Sequence, residues 1–440
     1  MSILDTLDAA AADAVQFALP LYEMSRMRSA TAPRADHAGR FAGDSPESTL
    51  RWANLWSHTR RLLGPQDRKV VTPNNDTLYS SAWLDLSRGP LVLRVPAMGE
   101  RYYVLGLLDM YTNPFGYVGT RTTGRDAGAF LVHGPGWRGD VPDGMRALAC
   151  PTDAVWMIGR MLVDDDTDLA AAVALQDQLT IEPAPGSDAQ VPCRIDTGMQ
   201  PNERLGDPEV FARVVNRALA GNPPPADEAS LVARFAACGI GAALDGVPPT
   251  DAQRDALARA IRDAIRTLSE ASPSTLGGGW ALPVDLLESF GTDYRQRART
   301  ALSYIGALGI REAMYLMADR DADGALLDGH ASYVLHFPPG GAPRTDAFWS
   351  LTAYERESCM LADNAIGRYS LGDRTPGLQH DADGGLRIAM SAREPADPVL
   401  RRNWLPAPPG RFYLALRLYV PGDAHIERRF AYPPIERQCT

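Results

Sequence analysis

The hydrophobic period changes twice along this 440-residue chain, and the order of the three regions limits what it can fold into. From Val70 to Val163 the sequence is rich in β-branched and aromatic residues punctuated by Gly and Pro, with strand-like runs Leu91 to Val95, Tyr102 to Leu108 and Phe130 to Val132. The run from Tyr102 to Leu108 is apolar on both parities, which predicts a strand covered on both faces. After Pro183-Ala184-Pro185-Gly186 the period becomes helical. Asp207 is an N-cap followed by Pro208, and Val210, Phe211, Val214 and Ala218 form one apolar stripe. A second helix carries Leu231, Phe235 and Cys238 and stops at Gly239; Thr250 and Gln253 form a capping box before Leu257, Ile261, Ile265 and Leu268; a fourth helix starts near Asp293. From Ser332 the period returns to two, in Tyr333, Leu335 and Phe337 and again in Phe412, Leu414, Leu416 and Leu418. Without a regular strand–helix alternation a doubly wound sheet is excluded, and two antiparallel β domains with a helical insert are expected. Ahead of them Leu4, Leu7, Ala11, Ala14, Val15, Ala18 and Tyr22 fall at helical spacing and predict an amphipathic helix laid on the body.

Charge and motif content remove several function classes. The net charge of −10 argues against a nucleic acid or an anionic membrane as partner. Of the 44 basic residues all but Lys69 are arginine, and Lys69 sits in Asp67-Arg68-Lys69-Val70, outside any phosphate-binding or Schiff-base context. There is no Gly-x-Ser-x-Gly elbow and no His-Glu-x-x-His, and Gly239-Ile240-Gly241 lacks the third glycine of a dinucleotide loop. No cofactor is therefore expected. Cys150, Cys193, Cys238, Cys359 and Cys439 contain no Cys-x-x-Cys pair, and the first eight residues are acidic where a secretory signal would be basic. Both features predict a cytoplasmic protein, and Asp13 interrupts the first apolar run before membrane length is reached.

Candidate chemistry gathers at strand ends. Asn74-Asn75-Asp76-Thr77-Leu78-Tyr79 compresses five polar groups into six positions after Pro73. It is either a turn that caps a strand or a site in which Asp76 or Tyr79 points into a pocket. Both can serve one site only if the strand begins near Thr77, because residues three apart on a strand lie on opposite faces. Asp109-Met110-Tyr111-Thr112-Asn113 ends an apolar strand in the same manner, with Asp109 a loop cap or a carboxylate at the mouth of the domain. His58, in a stretch read as helical, is a packing histidine or a further site member. In Phe348 to Tyr354 alternation places Trp349 and Leu351 on one face and Phe348, Ser350, Thr352 and Tyr354 on the other, which is a ligand wall or a second core face. The candidate catalytic set is thus Asp76, Tyr79, His58 and Asp109, with Asn74, Asn75, Tyr111, Asn113, Trp349 and Tyr354 as candidate substrate contacts. No metal is expected: His330 and His336 could share a strand face but lack a third ligand. Asp319-Arg320-Asp321-Ala322-Asp323-Gly324 imitates a calcium loop with His330 where a glutamate is needed, and reads as a hairpin turn.

The motifs Thr72 to Ser80, Leu108 to Asn113 and Gly134-Pro135-Gly136-Trp137 resemble the bacterial domain-of-unknown-function family 1254. Ala347 to Thr352, Gly372 to Gly377 and Asn403 to Pro408 resemble its usual partner, family 1214. The resemblance implies two β-sandwiches of jelly-roll type with a helical connection, and it implies no activity. At Gly306 to Tyr315 similar proteins tend to carry an Asn-Pro-Pro turn, so the fourth helix is expected to run on here. The expected fold is mainly β with a helical insert: a helical segment over 1–69, a jelly-roll-like antiparallel sandwich over 70–185, a helical module over 186–324 and a second sandwich over 325–440. The expected function is acid–base chemistry without an organic cofactor, of lyase, cyclase or hydrolase type, on an uncharged or hydrophobic small molecule between the sandwiches. The alternative is a non-catalytic ligand-binding protein or a homo-oligomeric assembly protein.

Overall fold

A computed structural model of the chain describes residues 3–43, 45–68, 71–165, 167–200, 202–270, 272–283 and 287–438, with side chains from residue 6 onward. Lys69, Val70 and Cys439 lie outside these residues. The protein is mainly β, with 28% strand against 24% helix. Two sandwiches carry most of it. In the first, a five-stranded sheet (Ser57–His58, Thr77–Asp85, Ala154–Leu162, Tyr103–Leu108, Pro114–Gly119) faces a four-stranded sheet (Thr180–Pro183, Leu91–Val95, Gly128–His133, Arg146–Ala149). Leu78, Ala82, Leu105, Leu107 and Met157 of one sheet pack with Leu91, Leu93, Phe130 and Val132 of the other. In the second, six strands (Ser274–Gly277, Trp280–Leu282, Ala313–Ala318, Phe412–Pro421, Thr345–Glu355, Ser370–Gly372) face four (Trp404–Pro406, Leu386–Ser391, Tyr333–Phe337, Ile435–Arg437). Pairing is antiparallel except at one edge of each sandwich, where Gly128–His133 runs parallel to Arg146–Ala149 and Leu386–Ser391 to Trp404–Pro406.

The five-stranded sheet is covered on both faces, as its sequence predicts. Every residue of Tyr103–Leu108 and of Ala154–Leu162 is buried. One face meets its own sandwich, while Trp83, Tyr102, Val104, Trp156 and Ile158 on the other join a core built with the helices and with Phe348 and Tyr419 of the six-stranded sheet. The two sandwiches and the helical part therefore share one interior.

The helices start and stop where their caps dictate. Asp207 accepts from the amides of Glu209 and Val210 at the head of Pro208–Gly221, the Thr250–Gln253 capping box opens Asp251–Ser269, and Gly239 ends its helical segment with φ +83°. The first helix, Ile3–Thr31, is not laid on the surface as expected. Ala14, Val15, Phe17, Ala18, Leu19, Leu21, Tyr22 and Met24 are all buried, so from residue 14 onward it is apolar around most of its circumference and forms the centre of the helical part. It packs against Pro208–Gly221, Asp251–Ser269 and Tyr294–Ser303.

Sheet edges reach past the expected domain limits. Leu50–Ala53 pairs with Cys193–Asp196, and Ser274–Gly277, Trp280–Leu282 and Ala313–Ala318 complete the six-stranded sheet, so strands arise inside both stretches read as helical. His58, read as helical, lies instead in the short strand Ser57–His58, paired with Ser80 at the edge of the five-stranded sheet. The fourth helix does not run on either. It ends at Ser303, and Gly306 turns the chain with φ +79°. His330 lies in a turn before the strand that carries His336, so the two do not share a strand face; His330 bonds Asp328. Asp321 accepts from the amides of Asp323 and Ala325, which is turn geometry. Among the described residues no helix is long and apolar enough to cross a membrane.

Gly306 yields a direct test. A Cβ there would meet Ile158 Cδ1 at 2.8 Å in a left-handed backbone, whereas Gly221, at a helix end, has nothing within 4 Å. Gly306→Ala is expected to cost about 1–2 kcal/mol in chemical denaturation, while Gly221→Ala stays within about 1 kcal/mol of neutral or stabilises.

Candidate functional site

The Asn-Asn-Asp motif is a turn, and the turn is plugged into the face of the other sandwich. The strand begins at Thr77, so Asn74 to Asp76 precede it. Asn74 is the cap: its Oδ1 accepts from the amides of Asp76 at 2.7 Å and Thr77 at 3.2 Å, and its Nδ2 donates to the Tyr419 hydroxyl. Asn75 Nδ2 donates to the Leu63 carbonyl at 2.5 Å. Asp76, only 3% exposed, reaches across the joint. Its Oδ2 accepts from Ser350 Oγ at 2.6 Å, and its Oδ1 lies 3.3 Å from Ser370 Oγ and 3.5 Å from Arg374 Nη2.

The receiving surface follows from the alternation of Thr345–Glu355. Trp349, Leu351 and Ala353 enter the core of their own sandwich. Ser350, Thr352 and Tyr354 point at the turn. Tyr354 donates to the Pro73 carbonyl at 2.5 Å, and the buried Arg417, opposite Ser350 in the ladder, donates to the Thr72 carbonyl at 3.1 Å, to Thr352 Oγ1 at 3.0 Å and to Tyr354 Oη at 2.7 Å. A buried guanidinium is tolerated when its donors are taken up in this way. Beside the plug lies a cavity of about 370 Å³. Asp76, Asn75, Ser350, Ser370 and Arg374 line it together with the apolar Leu62, Val163, Ile366 and Pro376. Arg374 also bonds the Val163 carbonyl and Asp164 and lies 4.3 Å from the Phe348 ring.

The other expected members are dispersed. Tyr79 sits farther along the strand, opposite Arg160 in the ladder and near Tyr315 and Tyr419. His58 Nδ1 is 2.8 Å from Ser80 Oγ and the ring stacks on Trp56, away from the cavity lining; burial lowers its pKa to about 4, so it is neutral at pH 7. Asp109 is a loop cap. Its Oδ1 accepts from the amides of Tyr111 and Asn113 and its Oδ2 from Asn113 Nδ2, while burial raises its pKa. Tyr111 donates to the Asn222 carbonyl, tying that loop to the helical part. Trp349 packs against Phe337 inside the second sandwich, whereas Tyr354 is at the joint. Ser370, Arg374 and Arg417 were not foreseen as site residues. Only the Gly372 to Gly377 motif hinted at Arg374, and an alternating strand does not reveal what its outward face will meet.

The comparisons agree with this division of the chain. Residues 53–183 match the model of DUF1254, a protein family of unknown function, and residues 312–423 match that of DUF1214, also of unknown function. The chain joins a DUF1254 domain to a DUF1214 domain. The plug belongs to the first and Ser350, Ser370, Arg374 and Arg417 to the second, so the site needs both. No curated protein matches. The crystal structure of the VPA0106 protein from Vibrio parahaemolyticus is similar at 24% identity with a TM-score of 0.76, covering 98% of this chain and all of that one, which shows a shared fold. An uncharacterized protein from Burkholderia cenocepacia aligns at 12% identity with a TM-score of 0.41, over 99% of this chain and 94% of its own.

Two measurements test this geometry. Asp76→Ala removes the anion that meets Ser350, Ser370 and Arg374 and is expected to lower stability by about 2–4 kcal/mol; a loss below about 1 kcal/mol would mean that the carboxylate does not hold the joint. His58 sets a pH effect. Its pKa is about 4 folded against 6.5 for the free side chain, so as pH falls the unfolded chain takes up the proton first. Its contribution is intact above about 6.5 and is lost between about 6.5 and 4. His58→Gln should therefore destabilise less, relative to wild type, at pH about 4.5 than at pH about 7, as read from thermal melts.

Proposed function

We propose that the protein binds an uncharged, hydrogen-bonding small molecule in the cavity beside the plug. The observation that carries this reading is the composition of the walls: Asp76 and Asp164 stand against Arg368 and Arg374, leaving no net charge, while Ser350, Ser370, Thr375 and Tyr369 supply hydroxyls. A volume of about 370 Å³ is that of a small-molecule site. Asp76 acts in this reading as an anchor and not as a free base, because its oxygens are already engaged by two hydroxyls and a guanidinium. Acid–base catalysis of lyase, cyclase or hydrolase type is the second reading, favoured by the 2.6 Å contact of Ser350 Oγ with a carboxylate at the cavity wall. A reducing, cytoplasmic setting is in keeping with the free thiols of Cys150, Cys193, Cys238 and Cys359.

A thermal-shift panel of uncharged polyols, sugars, amides and lactones tests the reading. At least one class should raise the melting temperature of the wild type, and Ile366→Trp, which fills the cavity from an exposed position, should abolish the shift. No shift with any class, or a shift that Ile366→Trp leaves unchanged, would sink the reading. Turnover of a bound compound that disappears in Ser350→Ala would favour the catalytic version.

A further inference from the structure

Arg160 is the one charged residue in Ala154–Leu162, a strand whose nine residues are all buried. It is 6% exposed, and its Nε and Nη1 have no hydrogen-bond partner among the described residues. Its guanidinium lies 5.9 Å from the ring centroid of Tyr79 in the first sandwich and 5.9 Å from that of Tyr315 in the second. Tyr102 and Tyr419 close the surroundings, 5.5 Å apart at their ring centroids, and Tyr419 packs at 4.2 Å on Phe348. Glu312, in the same neighbourhood, gives its oxygens to other groups: its Oε1 accepts from the Tyr102 hydroxyl at 2.8 Å and its Oε2 from Arg121 Nε at 2.6 Å. The contrast with Arg417 is direct, since Arg417 gives its donors to Thr72, Thr352 and Tyr354.

A buried cation with unspent donors is unfavourable unless an anion meets it. A guanidinium presents N–H groups in a planar fork that matches a carboxylate, and the rings around it offer apolar surface to the rest of such a molecule. Tyr79 and Tyr315 are each only partly buried. We propose that the joint between the sandwiches holds a second ligand site, in which Arg160 binds the carboxylate of a small organic acid whose apolar body rests against Tyr79, Tyr315 and Tyr419. This goes beyond the cavity at Asp76, whose lining contains neither Arg160 nor the tyrosines around it and whose walls suit an uncharged molecule.

Sodium benzoate is the probe, with sodium chloride at equal ionic strength as the control. Benzoate should raise the melting temperature of the wild type in a saturable manner, chloride should not, and Arg160→Met should weaken the apparent affinity by at least about tenfold. Arg160→Met removes a buried guanidinium with two unpartnered donors and is expected to fold. Should it fail to fold, Arg160→Lys keeps the charge but not the fork and should bind about tenfold more weakly. Absence of a wild-type shift, an equal shift with chloride, or unchanged affinity in whichever of these variants folds overturns the proposal. Ile366→Trp should leave the benzoate response intact, which separates this site from the cavity reading.

Discussion

The structure depends on how a polar turn is received by the face of a β-sheet. Thr72 to Asp76 must leave water to enter the joint, and the cost of desolvating their carbonyls and the Asp76 carboxylate is offset only if each finds a partner. The six-stranded sheet supplies them. Arg417 and Tyr354 take the carbonyls of Thr72 and Pro73, Tyr419 takes Asn74, and Ser350, Ser370 and Arg374 surround Asp76. The strands that provide these groups bury apolar side chains on their other face, so the same alternation that builds the second sandwich also builds the socket.

Helical packing completes the arrangement. The first helix runs through the interior and contributes Phe17 and Tyr22 to a core that also contains Trp83 and Trp156 of one sandwich and Phe348 and Tyr419 of the other. Asp109 and Tyr111 belong to this part of the structure. Their bonds close a loop and fasten it to the Asn222 carbonyl, with the Arg297 guanidinium 5.4 Å from the Tyr111 ring. Burial raises the Asp109 pKa, while the bonds to Asn113 and Tyr111 act the other way.

Three arginines at the joint illustrate how context decides what a buried cation does. Arg417 is satisfied by carbonyl and hydroxyl oxygens and acts as mortar between domains. Arg374 divides its donors between Asp76, Asp164 and the Val163 carbonyl at a cavity wall, where part of it stays accessible. Arg160 has the same chemistry with two donors unspent. In a chain where arginine makes up nearly all of the basic residues, composition alone cannot separate these roles.

Local rules determined much of this protein. The period changes placed two β regions around a helical one, and the caps at Asp207, Thr250 and Asp293 opened helices because each needs only residues within one turn. The double-faced apolar run at Tyr102 to Leu108 announced a strand covered on both sides, and the alternation from Phe348 to Tyr354 separated the core face from the face that meets the turn. What the first helix packs against could not be read, since its small and apolar residues suit a surface stripe or a central position equally. A two-residue edge strand such as the one that holds His58 has too few positions to show a period, and the fourth helix stops at Ser303, before Gly306 turns the chain. Tertiary structure alone decided which polar residues meet: Asp76 with Ser350 is a contact across 274 positions, and Tyr79 beside Arg160 and Tyr315 joins three strands of two domains. Such encounters depend on how two sandwiches dock, and docking is set by the complementarity of whole faces, which no local pattern in a single sequence encodes.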